Sequence, residues 1–120
     1  MDNTQIIKTA IKALSDKKAG DIFAVEVADL TIVADTFVMA GGTSSTHVRA
    51  LADEVEYQLS QQGIEPHHIE GKNTGWILLD YTGVVIHIFS QQAREFYSLE
   101  RLWADGKQID VSQYIDAEDK

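Results

Sequence analysis

The order of periodicities along the chain predicts an α+β (mixed α/β) domain, a mixed sheet of about five strands flanked by helices. Three observations carry this. Apolar residues recur at helical spacing over residues 6–14 and 48–59. Short apolar runs occupy 21–27, 35–40, 76–80 and 84–89, and glycine or hydroxyl residues stand where the period changes. The order α-β-β-α-β-β-β-α has no linker, internal repeat or low-complexity tract and does not suit a doubly wound parallel fold. With 120 residues, 44% of them hydrophobic, one ordinary core is expected.

The first helix opens at Asp2 or Asn3, carries Ile6, Ile7, Ala10, Ile11 and Leu14 on one face, and ends near Lys17 and Lys18 with Gly20 behind it. Residues 21–27 read as a strand. Residues 35–40 form a second, more continuously apolar and so more buried strand, which Gly41-Gly42 breaks. Thr43, Ser44 and Ser45 suit an N-cap, and Val48, Leu51, Ala52, Val55 and Leu59 form the stripe of a second helix ending at Gly63. Pro66, the one proline, keeps 64–70 extended as a short strand weakly held at its start. Two apolar runs around Tyr81-Thr82-Gly83 make an antiparallel hairpin. Ser90 then caps a third helix with Ala93, Phe96, Tyr97 and Leu99 inward, and the plainer role of Trp103 is to close the core. The domain so defined covers residues 1–104, and residues 105–120 are an acidic C-terminal tail with a frayed end.

The absence of cysteine removes disulfides and thiolate metal sites. Met1-Asp2-Asn3-Thr4-Gln5 has no signal-peptide character, and no apolar run reaches the roughly 20 residues that span a bilayer, so a cytoplasmic protein without a membrane partner is expected. A net charge of −9 repels phosphate backbones, which disfavours DNA, and attracts basic proteins; its plainer role is solubility.

Several groups could carry chemistry. Gly41-Gly42-Thr43-Ser44-Ser45 runs from strand to helix, where backbone N–H groups could hold a phosphate, but it lacks a P-loop lysine and dinucleotide-fingerprint spacing. A nucleotidyltransferase begins with a similar turn and then needs paired carboxylates for two magnesium ions; no such pair follows here. Ser44 and His47 are the one local nucleophile–base candidate, at a spacing frequent by chance. His67 and His68, adjacent on a strand, would point to opposite faces and could not share an ion, so no metal site is expected. On the hairpin, Trp76, Leu78 and Asp80 share a face, as do Val85, His87 and Phe89. One sheet face would then present tryptophan, carboxylate, imidazole and phenylalanine together, a mixture resembling an interface. The alternative is a covered face on which Asp80 and His87 satisfy one another.

Six blocks in order resemble the Iojap-related ribosomal silencing factors of bacteria and organelles. They are Asp16-Lys17-Lys18-Ala19-Gly20-Asp21-Ile22, Ala34-Asp35-Thr36-Phe37-Val38, Gly42-Thr43-Ser44-Ser45, Glu70-Gly71 with Gly75-Trp76-Ile77-Leu78-Leu79-Asp80-Tyr81, Val85-Ile86-His87-Ile88-Phe89, and Arg94-Glu95-Phe96-Tyr97-Ser98-Leu99-Glu100-Arg101-Leu102-Trp103. The resemblance covers roughly residues 7–104; Thr82 stands where many relatives have an acid, and the residues after Trp103 are individual to this chain. It implies a nucleotidyltransferase-like fold without the catalytic carboxylates, no enzymatic activity and no cofactor. It further implies binding to the large ribosomal subunit through basic ribosomal protein fourteen, which blocks joining to the small subunit and represses translation under nutrient limitation. The implied partner surface comprises Trp76, Asp80, Tyr81 and His87, with Arg94, Glu100 and Trp103, and a homodimer is possible when the protein is free. The rival expectation is a degenerate nucleotidyltransferase-like protein that binds a nucleotide at Gly41–Ser45.

Overall fold

The computed structural model describes residues 3–27, 35–71, 75–81, 83–90 and 107–109. The elements are α1 (Asn3–Asp16), β1 (Gly20–Glu26), β2 (Thr36–Gly42), α2 (Ser45–Ser60), β3 (His68–Glu70), β4 (Trp76–Asp80), β5 (Val84–Ser90) and β6 (Lys107–Ile109). The strands form one sheet in the order β3-β4-β5-β2-β1-β6. Only the central β2–β5 pair is parallel; every other pairing is antiparallel, so the sheet is mixed as expected. Among the described residues no helix is long and apolar enough to cross a membrane.

Both helices pack on one face of the sheet. Ile6, Ile7, Ala10, Ile11 and Leu14 of α1 and Val48, Leu51, Ala52, Val55 and Leu59 of α2 join Ala24, Val38, Ala40, Ile77, Leu79, Ile86 and Ile88 in one cluster. Those are the helical stripes and alternate strand positions that the periodicities mark. The third expected helix, with Ala93, Phe96, Tyr97 and Leu99, lies outside the described residues, and Ser90, its expected cap, ends β5. Two corrections concern extent. β3 begins at His68 rather than Ile64. Beyond the boundary expected at residue 104, β6 pairs with β1, Ala24 opposite Ile109.

The ends of the two helices use one hydrogen-bond pattern with different residues. After α2, Gly63 takes a positive φ of 78°, its N–H donates to the Ser60 carbonyl at 3.0 Å and Ile64 N–H donates to Leu59 at 3.0 Å. After α1, Lys18 occupies the equivalent position at φ 63°, donating to Ser15 at 3.0 Å while Ala19 donates to Leu14 at 2.9 Å. Gly20, expected to stop this helix, instead opens β1. A left-handed residue with a Cβ is strained by about 1–2 kcal/mol, partly offset because glycine has more backbone entropy to lose. Lys18→Gly is therefore expected to stabilise the protein by roughly 0.5–1 kcal/mol in urea unfolding; a loss of stability would mean that the Lys18 side chain contributes more than its backbone costs.

Candidate functional site

The strand registers fix what the other face presents. Across β3, β4, β5, β2 and β1, one row runs His68, Asp80, Val85, Phe37 and Val25. The next runs Glu70, Leu78, His87, Met39 and Phe23, and a third runs Trp76, Phe89 and Gly41. Met39 and Phe89 are fully buried, with Phe23, Phe37 and Trp76 packed against them. Toward β3 the face opens: His68 and Glu70 are exposed, and Trp76, Leu78 and Asp80 are half-buried. Apolar and acidic groups thus meet solvent together along β4.

His87 lies inside this face rather than on it. It is 6% exposed, and burial pushes its pKa from 6.5 down to about 4, so the ring is neutral near pH 7. The Trp76 indole Nε1–H donates to His87 Nδ1 at 3.2 Å, and the Phe37 ring meets the imidazole edge-on at 4.8 Å. With Nδ1 accepting, the proton sits on Nε2, which is buried without a hydrogen-bond partner among the described residues. His87 therefore orients Trp76. Asp80 and His87 do not satisfy one another: Leu78 stands opposite His87, and the Asp80 carboxylate lies 3.3 Å from His68 Nδ1.

Of the expected partner residues, the structure brings Trp76, Asp80 and His87 onto this face. Tyr81 lies elsewhere. It is 5% exposed within the helix-side cluster, where burial, with Glu56 and Glu65 nearby, pushes its phenol above the ordinary range. Arg94, Glu100 and Trp103 lie outside the described residues.

The glycine turn is engaged by the protein's own groups. Thr43 N–H donates to His47 Nδ1 at 2.9 Å, and His47 N–H donates to Ser44 Oγ at 3.1 Å, which makes Ser44 the N-cap of α2. Because Nδ1 accepts a backbone N–H, the ring proton sits on Nε2 and is donated to the Lys17 carbonyl at 2.9 Å, tying the end of α1 to the start of α2. Both ring nitrogens are taken and Ser44 Oγ faces a backbone N–H, so the pair is not arranged as a nucleophile and base. Gly42 has a packing reason as well: a Cβ there would lie 2.8 Å from Val48 Cγ2 and 3.0 Å from Val48 N. Gly42 thus lets α2 seat closely on β2.

Comparison with known proteins bears on this arrangement. The family model described as "Ribosomal silencing factor during starvation" matches residues 1–120. The chain belongs to that family. It is 37% identical over 112 residues to a ribosomal silencing factor of Bacillus subtilis, covering 92% of this chain and 95% of that one. With a ribosomal silencing factor of Halalkalibacterium halodurans it shares 34% over 116 residues, covering 96% and 99%. A crystal structure from Chromobacterium violaceum superposes with a TM-score of 0.81 at 35% identity, covering 86% of this chain and 87% of that one. The family's relatives are thus named for regulation rather than catalysis, in keeping with a glycine turn filled by its own hydrogen bonds.

Within the silencing-factor fold two outcomes are expected. Gly42→Ala should lower the unfolding free energy by about 1–3 kcal/mol, while Gly41→Ala, whose Cβ would lie 3.6 Å from the Gly20 carbonyl, should change little. Equal effects would remove the packing explanation. For His87, the unfolded ring titrates near 6.5 and the folded ring near 4, so the unfolded state holds more protons between those values. Stability is retained above pH 6.5 and falls as pH drops toward 4, by on the order of 3 kcal/mol. Urea unfolding at a series of pH values should show a shallower decline for His87→Gln, which keeps an acceptor for Trp76; an unchanged slope would remove His87 as the source.

Proposed function

We propose that the protein silences ribosomes by docking on the large subunit through basic ribosomal protein fourteen and keeping the small subunit from joining. The half-buried strip Trp76, Leu78 and Asp80, on the face away from α1 and α2, carries this reading, with family membership and a net charge of −9 beside it. A tryptophan held in orientation is the kind of anchor that supplies most of the energy of an interface, and a carboxylate next to it selects a basic partner. Arg94, Glu100 and Trp103 are partner contacts in this proposal on the family resemblance alone. Tyr81 supports it from the opposite face without touching the partner.

The mechanism is steric and needs neither cofactor nor catalysis. The chain extends 33 × 31 × 31 Å, so a copy docked on the joining face occupies volume that an intersubunit bridge requires. Attraction between the acidic chain and a basic partner speeds encounter and weakens as salt screens it.

Sucrose-gradient sedimentation tests the reading. The purified protein should travel with isolated large subunits and reduce the joined peak when small subunits are added. Asp80→Lys should weaken co-sedimentation at least about tenfold, and raising salt should weaken it further. Undiminished binding by Asp80→Lys would move the interface to another face. A wild-type protein left at the top of the gradient would overturn ribosome binding itself.

A further inference from the structure

His67 stands one residue before β3, so the alternation that sends neighbouring strand side chains to opposite faces does not govern it. Its backbone N–H donates to the Asp80 carbonyl at 2.6 Å, which fixes the segment against β4. His67 Nδ1 and His68 Nδ1 lie 3.3 Å apart, and His68 Nδ1 lies 3.3 Å from Asp80 Oδ2. All three ligand atoms fall within 4.8 Å of one another. This corrects the expectation that the two histidines diverge.

The protonation pattern makes the cluster more than a coincidence of side chains. His68 Nε2 is 2.9 Å from Glu70 Oε2, so in the neutral ring Nε2–H donates to that carboxylate and Nδ1 bears the lone pair. That lone pair faces a carboxylate oxygen and, with His67 in its Nε2–H tautomer, a second imidazole lone pair, an arrangement that a cation would satisfy. A tetrahedral zinc ion with bonds of about 2.0–2.1 Å separates its ligand atoms by roughly 3.3 Å. Two of the three separations have that value, and the third lies within 4.8 Å, beside an exposed His67 ring. Glu70 behind His68 stands where a carboxylate orients a metal-bound histidine.

We propose that His67 Nδ1, His68 Nδ1 and Asp80 Oδ2 bind one divalent zinc ion per chain, oriented by Glu70, with water at the fourth position. The ion would staple the chain before β3 to the end of β4. Two imidazoles and one carboxylate suit zinc over magnesium, which requires octahedral oxygen ligation. This inference does not depend on the ribosomal reading.

Isothermal titration of the untagged full chain with zinc chloride tests it. One saturable site is expected, unaffected by excess magnesium. His67→Ala, His68→Ala and Asp80→Asn should each lower affinity more than tenfold, and Glu70→Gln by about tenfold. Cobalt(II) should give an intense visible band of tetrahedral type that His68→Ala abolishes, with circular dichroism establishing that each variant is folded. No saturable zinc uptake, or uptake unchanged in both histidine variants, would overturn the site. So would histidine resonances that stoichiometric zinc leaves unmoved, since His68 would then bridge Glu70 and Asp80 through protons alone.

Discussion

The parallel pairing of β2 with β5 at the centre of the sheet governs the rest of the molecule, because it aligns two segments 48 residues apart, Thr36 opposite Val84 and Met39 opposite His87. Side chains alternate with a period of two, so slipping β5 by one residue would send His87 into the helix-packed core and Ile86 to the other face. Both outcomes are costly: a polar ring would enter an apolar cluster, and a fully buried isoleucine would leave it. The same pairing brings Gly41 and Gly42 opposite Phe89 and Ser90, and the missing Cβ at Gly42 lets α2 start directly on the end of β2. One register thus sets the helix position, the polar face and the turn between them.

Given that register, the polar groups on the second face divide by depth. His87 sits where a charged ring would be destabilising, and its neutrality leaves Nδ1 to accept from Trp76. Asp80 sits one strand further out, on β4, and His68 two strands out, on β3, where the face meets solvent. The order from centre to edge is apolar, then a neutral hydrogen-bonded polar group, then ionisable groups. Such a gradient keeps Trp76 in a defined pose while leaving ionisable groups at the solvent edge.

Local pattern made much of this legible. The stripes of α1 and α2, the Ser44 cap, the Gly63 stop and the β4–β5 hairpin follow from spacing and residue type, and the structure has them where those signals fall. What pattern could not provide was pairing between distant segments. β6, three residues long, is too short to express a period, and its place beside β1 is a tertiary fact. The β3–β4 register puts His68, not His87, beside Asp80, and starting β3 at His68 rather than Ile64 frees His67 from strand alternation. Tyr81 sits with the helices because it continues the alternation of Ile77 and Leu79, a signal present in the sequence that the family resemblance outweighed.

A docking surface places different demands on a fold from an active site. An active site needs groups left unsatisfied until substrate arrives, whereas a docking surface needs side chains whose positions are already determined. At the glycine turn Thr43 N–H, Ser44 Oγ and both nitrogens of His47 are engaged within the protein, and His47 Nε2 ties the end of α1 to the start of α2. The strip along β4 illustrates the second being met. There the strand is paired on both sides, by β3 and by β5, and His87 restrains the indole from below. Hydrogen-bonding capacity at the turn and beside Trp76 is used within the protein for rigidity, and a side chain already held in one pose has less entropy to lose in any contact.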